Sequence, residues 1–498
     1  MITQPPVWIM SLNILFFLFE VTPYWLTHYV TKCWIVISSF LENKDAGFLS
    51  FRNINYVKVI EIIRSLTNTT SCGIDGINTE VLKRFCRIIS PPLTHVINLI
   101  LTKLQWPKIW KVGIVSPVPK KSDLTQACNW RPVVLNNVMS KVAERVINKQ
   151  LADHLEEKSL LLMSQHAYRK AKSCGSAWQD IDTFVSKALS EGKVCGLILT
   201  DQSAAFNVLM KEILDKKLPL YGLSSDACKL INNYLDVRST MCQVAGERST
   251  LVKLTSGVPE GSILGPILYT LAQMCVPVVP RIVKEKILEN QTSVKKPEEV
   301  STDSVEYADD VTGLLSTKDE DDFQEAVDLF MSEYSTYFSK CGLALNLNKC
   351  AVIVFRPGPK SRTIMLDGQE EEKHVKLLGL TVDDRYSFSK HALKVKSTIE
   401  YRLSCLKKIL KFYDVEKKKQ ICQALIMSVA SYGLEYYGRE EHLHGHIQVS
   451  LNKVARTILD EAFDAEVKKM LQRLKWSNIK NLYHEALGKP SKKKLHIL

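Results

Sequence analysis

Apolar residues recur every three or four positions through residues 57–66, at Val57, Val59, Ile60, Ile62, Ile63 and Leu66. That spacing predicts a helix with one buried face, ending at the Asn/Thr/Ser/Gly-rich loop that follows. The same period predicts helices over residues 88–104 and 140–154. Further along, the period shortens. Residues 197–199 form a brief apolar run that reads as a buried strand, and residues 302–306 and 311–315 read as strands joined by a tight turn. A helix is expected over residues 323–341, stopped by Gly342, a residue suited to the position past a helix C-terminus. From Lys390 the pattern is helical and basic, with one apolar face and one lysine-rich face that includes Lys407, Lys408 and Lys411.

The start of the chain differs. Residues 7–19 and 21–40 are apolar and aromatic, interrupted by Glu20, His28 and Lys32. Met1-Ile2-Thr3-Gln4 lacks the basic start of a signal peptide, and Pro23 and Lys32 count against a bilayer span. Residues 1–48 are therefore expected to be an apolar extension upstream of the globular part or packed on it, with a membrane anchor as the competing account.

Composition narrows the partner more than the fold. A formal charge of +13 and a pI near 9.0 over 498 residues favour a polyanion such as nucleic acid over an acidic small substrate. A generally basic surface is the bland alternative. The 13 cysteines are scattered from Cys33 to Cys422 with no Cys-x-x-Cys pair, which excludes a recognisable zinc knuckle and suits buried thiols in a reducing compartment.

Three segments carry chemistry. Tyr307-Ala308-Asp309-Asp310 places two adjacent carboxylates at the tight turn, where they repel each other unless divalent cations stand between them and a phosphate. Asp201 stands where the apolar run 197–199 ends. Three carboxylates from separate segments are what two-metal, in-line nucleotidyl transfer requires. The plainer accounts are an exposed turn and a helix-capping aspartate. Between these segments, residues 256–266 hold three glycines and two prolines, a loop whose backbone can approach a ligand closely before the apolar run at Ile267.

With these segments in this order, the chain resembles the reverse transcriptase domain of non-LTR retrotransposons, from about Phe51 to about Leu487. Ser71-Cys72-Gly73-Ile74-Asp75-Gly76-Ile77 is similar to the family's entry motif. Lys120-Lys121-Ser122-Asp123 with Asn129-Trp130-Arg131-Pro132 resembles its basic fingers segment. Ser140-Lys141-Val142-Ala143-Glu144 and Gln165-His166-Ala167-Tyr168-Arg169-Lys170 follow in family order. Leu345-Asn346-Leu347-Asn348-Lys349 and Leu377-Leu378-Gly379-Leu380 resemble the motifs that close the catalytic region.

The resemblance implies an α+β right-hand polymerase: fingers over residues 49–190, a palm of antiparallel sheet and helices over 191–390, and a helical thumb over 391–498. It implies RNA-directed DNA polymerase activity, with Asp201, Asp309 and Asp310 as catalytic metal ligands and Lys349 as a general acid. Lys120, Arg131, Phe206, Gly257, Pro259, Glu260 and Gly261 would bind the nucleotide, the Phe206 ring screening out a ribose 2′-hydroxyl. Arg169, Lys170, Lys407, Lys408 and Lys411 would hold nucleic acid through its phosphates. The implied cofactor is Mg2+, as two ions, with Mn2+ as the substitute. The implied partners are an RNA template, a DNA primer and deoxynucleoside triphosphates, with no obligate protein partner and no membrane, in nucleus and cytoplasm. Asn207 and Glu260 depart from the family's usual aspartate and glutamine. They keep open a competing reading, a catalytically decayed nucleic-acid-binding remnant of the same fold.

Overall fold

Asn55 starts the first described helix by accepting a hydrogen bond from the Lys58 N–H, and Val59 and Ile63 bury the inner face of α1 (Tyr56–Ser65). In chain order there follow α2 (Cys86–Lys103), β1 (Val112–Pro119), β2 (Trp130–Leu135), α3 (Val138–Glu157), α4 (Cys174–Ser190), β3 (Val194–Thr200), β4 (Ser239–Val244) and α5 (Gly265–Gln273). Then come β5 (Ser301–Tyr307), β6 (Asp310–Thr317), α6 (Glu320–Lys340), β7 (Ala351–Phe355), β8 (His374–Leu377), β9 (Leu380–Asp383), α7 (Ser389–Leu410) and α8 (Glu441–Leu459). The computed structural model describes residues 47–120, 123–126, 129–202, 211–273, 278–289, 293–340, 343 and 345–488. The apolar extension before residue 47, Phe206, Asn207 and Gly342 lie outside the described residues.

The predicted elements are present, with shifted ends. The run 197–199 is the centre of a seven-residue strand, buried along nearly its whole length. A strand covered on both faces reads as a continuous apolar run rather than an alternating one. Helix α6 begins at Glu320, ahead of the expected Phe323, because Asp319 caps it by accepting from the Asp322 N–H at 2.9 Å. Its first turn is acidic (Glu320, Asp321, Asp322), the sign that a helix N-terminus favours. The Gly/Pro loop is shorter than expected. Ser262 Oγ accepts from the Gly265 N–H at 3.0 Å, so Gly265 and Pro266 already belong to α5.

Contacts group the chain into two units, each assembled from separated stretches. The first comprises Met1–Lys170, Asp201–Ile282 and Met331–Asn346. Its sheet runs β2–β1–β4, antiparallel between β1 and β2 and parallel between β1 and β4. Helices α1, α2 and α3 pack together in the same unit.

The second unit comprises Ala171–Thr200, Val283–Phe330 and Leu347–Leu498. Its four-stranded antiparallel sheet has the order β5–β6–β3–β7. One core joins the sheet (Leu197, Leu314, Ile353, Phe355) to Trp178 and Ile181 of α4, to Val395 and Ile399 of α7 and to Leu451 and Val454 of α8. Burial on this scale is the main stabilising term. Among the described residues no helix is long and apolar enough to cross a membrane.

Candidate active site

Strands β5 and β6 pair from Ser301↔Ser316 to Tyr307↔Asp310, leaving Ala308 and Asp309 as a two-residue turn. Ala308 has φ of 60°, the left-handed value that a two-residue hairpin needs to follow the twist of its strands. Asp309, half-buried, is thus fixed at the tip, and Asp310, exposed, opens β6. Strand β3 runs beside β6 and its last residue, Thr200, pairs with Val311; Thr200 Oγ1 also donates to the Val311 carbonyl at 3.1 Å. The end of β3 therefore lies at the end of the sheet that carries the aspartate turn. Strand β7 starts at that end too, pairing Ala351 with Leu199, so the short 3-10 turn Leu347–Lys349 precedes it there with Lys349 exposed.

Asp201 is the next residue after Thr200 and opens the first unit's middle stretch. Its carbonyl accepts from the Asn346 N–H at 2.9 Å, and Gln202 forms a bridge with Leu345. The buried Gln202 side chain is held by the Tyr269 hydroxyl at 2.5 Å and by Gln273 Nε2 at 2.7 Å, both on α5. The backbone of Asp201 is therefore held on both sides.

In the same unit the β1–β2 hairpin aligns Pro119 with Trp130 and Val118 with Arg131, and the Lys120 N–H donates to the Asn129 carbonyl at 2.7 Å. Lys120 and Arg131 are both exposed and are brought close by this register. The Gly/Pro loop lies against β2. Gly257 and Gly261 have φ of 86° and 73°, and a Cβ on Gly261 would stand 2.8 Å from the Val134 carbonyl oxygen. Asn136 Nδ2 reaches the half-buried Glu260's carbonyl at 3.5 Å, and Pro259 is buried.

Residues 118–382, more than half of the chain, match the family model described as reverse transcriptase (RNA-dependent DNA polymerase). The chain belongs to this family. It is 24% identical over 437 residues to the Drosophila melanogaster protein named "Probable RNA-directed DNA polymerase from transposon BS", covering 84% of this chain and 46% of the relative. It is 22% identical over 471 residues to the RNA-directed DNA polymerase from mobile element jockey of the same fly, covering 91% of this chain and 50% of the relative. The X-element relative is 25% identical over 415 residues, 80% of this chain and 43% of its own length. The chain thus spans about half the length of the curated relatives it matches.

Reverse transcriptases use divalent metal ions. Among the described residues no group of three or more His, Cys, Asp or Glu side chains is placed to hold one. Mg2+ does not need such a cage: it takes one or two carboxylates and completes its shell with water and substrate phosphate oxygens. Asp309 and Asp310, side by side in the second unit, are hard oxygen donors of the kind this demand calls for. The described cysteines are free thiols, and Cys195 and Cys422 are buried in surroundings that push their pKa up.

One residue expected to contact nucleic acid is engaged within the protein. Arg169 turns inward, its side chain only 8% exposed, and pairs with Glu156 at 2.9 Å while donating to the Leu162 carbonyl. Left-handed backbone at Tyr168 and Ala171 (φ of 57° and 62°) frames that inward turn. It anchors the end of α3 to the segment that follows. Lys170 is exposed in the same unit, and Lys407, Lys408 and Lys411 are exposed at the end of α7 in the other. Sequence reasoning gave no role to Gln202, nor to Glu144, a fully buried carboxylate on α3 whose pKa burial raises. Glu144 had a signal: it lies in helical register with the buried Ile147, Leu151 and Leu155, where a charge is unexpected.

Proposed function

We propose that this chain is the polymerase part of a non-LTR retrotransposon protein, copying an RNA template into DNA from a DNA primer with deoxynucleoside triphosphates. The observation that carries this reading is the Asp309-Asp310 turn beside the end of β3, immediately before Asp201. Fingers over residues 49–190, palm over 191–390 and thumb over 391–498 are the functional divisions it implies.

Asp201 and Asp309 would hold two Mg2+ ions, with Asp310 completing the site. Bound divalent ions supply charge neutralisation, lowering the cost of bringing a 3′-hydroxyl to a triphosphate and of releasing pyrophosphate. Lys120 and Arg131, exposed at one end of the β1–β2 hairpin, take the triphosphate, the guanidinium by paired hydrogen bonds. The loop with Gly257, Pro259, Glu260 and Gly261 lies against the nucleotide. The Phe206 ring excludes a 2′-hydroxyl. Lys349 donates a proton to the leaving pyrophosphate, and Lys170, Lys407, Lys408 and Lys411 contact nucleic-acid phosphates.

The test is primer extension on an RNA template by the purified chain and by Asp309→Asn. An amide replaces an anionic oxygen poorly, so residual extension should fall below about one percent, the rate equivalent of roughly 3 kcal/mol. A parent that binds primer–template yet extends nothing, with or without Mg2+, would select the decayed remnant. Glu260 is the residue that favours that second reading, since its carboxylate would repel a triphosphate.

A further inference from the structure

Glu144 of α3 is completely shielded from solvent, and its carboxylate is spent on the backbone of another segment. Its Oε2 accepts from the Ile263 N–H at 2.7 Å and from the Leu264 N–H at 3.4 Å, and its Oε1 accepts from Ser140 Oγ at 3.1 Å. These two amides stand just before α5, at the helix end that carries unpaired N–H groups and a partial positive charge. The buried Arg238 guanidinium adds an opposite charge nearby. A buried carboxylate without such partners would be strongly unfavourable.

The segment it fastens leads from the Gly/Pro loop into α5. Gly257 and Gly261 are in the left-handed region, and on the β2 side the loop meets the Val134 carbonyl and the Asn136 amide. Arg131 lies three residues before Val134 on that strand. Fixing residues 263 and 264 from behind therefore fixes how residues 257–261 stand over β2. The same bonds occupy a helix N-terminus that would otherwise suit a phosphate, leaving the triphosphate to Lys120 and Arg131.

We propose that Glu144 is a positioning residue for nucleotide binding, its carboxylate holding the 257–264 loop in the shape that receives the incoming triphosphate. This rests on the polymerase reading of that loop. The experiment compares Glu144→Ala and Glu144→Gln with the parent in the full chain. It uses steady-state extension of a DNA primer on an RNA template at varied deoxynucleotide, together with hydrogen–deuterium exchange of the Ile263 and Leu264 amides. Glu144→Ala should raise the nucleotide KM by about tenfold or more while kcat changes less than about threefold and primer–template Kd is unchanged. Its two amides should exchange faster, and Glu144→Gln, which keeps an acceptor oxygen, should recover most of the KM.

A purely structural role would lower kcat through loss of active protein at unchanged KM, and that pattern overturns the proposal, as does unchanged exchange. If Glu144→Ala does not fold, Glu144→Gln and Glu144→Asp decide by the same two readouts. A parent that binds primer–template without extending it sinks the polymerase reading and the nucleotide role with it. Faster exchange in Glu144→Ala would then still establish the tether.

Discussion

Gly196 of β3 has no room for a side chain, and Gly196→Ala measures how tightly α6 packs on the central strand. The residue pairs with Leu315 of β6 and Val354 of β7, so the strand is fixed from both sides. A Cβ placed there would lie 2.6 Å from Phe323 Cζ and 2.8 Å from the Ile353 carbonyl oxygen. Carbon atoms in contact settle near about 3.5–4.0 Å, so one obstacle must move by about an ångström. Phe323 is fully buried and cannot swing into solvent, and the Ile353 carbonyl belongs to the neighbouring strand. Overpacking of this kind costs about 1–3 kcal/mol, and the backbone obstacle argues for the upper half, about 2–3 kcal/mol.

The assay is a double-mutant cycle by thermal and denaturant melting. Gly196→Ala should lower the melting temperature by about 2–4 °C per kcal/mol, and Phe323→Leu alone should cost about 1–2 kcal/mol. In the double variant the smaller side chain relieves the ring contact but not the carbonyl contact. The pair should therefore be less destabilising than the sum of the singles by about 1 kcal/mol. A single Gly196→Ala effect within about 0.5 kcal/mol, or strict additivity, would refute the packing argument.

Phe206→Ala should admit ribonucleotides more readily, seen as a fall in the ratio of deoxy- to ribonucleotide kcat/KM; an unchanged ratio would make the ring ordinary packing. Arg169→Ala should cost about 1–2 kcal/mol of stability by unpairing the part-buried Glu156, while primer–template Kd stays within about twofold; a large loss of binding would restore Arg169 as a nucleic-acid contact. His391, whose Nδ1 accepts from the Thr381 N–H, has its pKa lowered to about 4 by burial and by Lys394. The unfolded chain then binds the proton more tightly, so this contribution is complete above the ordinary histidine pKa of about 6.5 and is lost as pH falls toward 4. His391→Gln should flatten the melting-temperature curve across that window, and an unchanged slope would count against it.

The hairpin that carries Asp309 and Asp310 was legible in the sequence because everything that makes it is local: two apolar strand patterns, a two-residue turn and their spacing. Helices α1, α2 and α3 were legible for the same reason, each showing its period within its own residues. The grouping into two units was not. Strand β3 pairs with β6 and β7, which lie more than a hundred residues further on, and nothing within residues 194–200 names those partners. Side-chain direction was equally hidden. Arg169 and Lys170 look alike as neighbouring basic residues, yet one is buried against Glu156 and the other is exposed. Only the backbone on either side of the pair decides between them.

The aspartate turn itself separates function from folding. A position with φ of 60° suits glycine or asparagine, and an alanine there carries a cost of roughly 1 kcal/mol relative to glycine. Selection for stability alone would remove that cost by a single substitution. Its presence at Ala308, between Tyr307 and the two carboxylates, is what the proposed site would explain as strain retained for function. The sheet can carry it. Strand β6 is paired along its length on both sides, to β5 and to β3, so the turn cannot relax by shifting register without breaking two ladders. A rigid sheet holding two neighbouring carboxylates on a strained turn spends stability for which the fold alone has no use, and the proposed divalent cation between them would account for it.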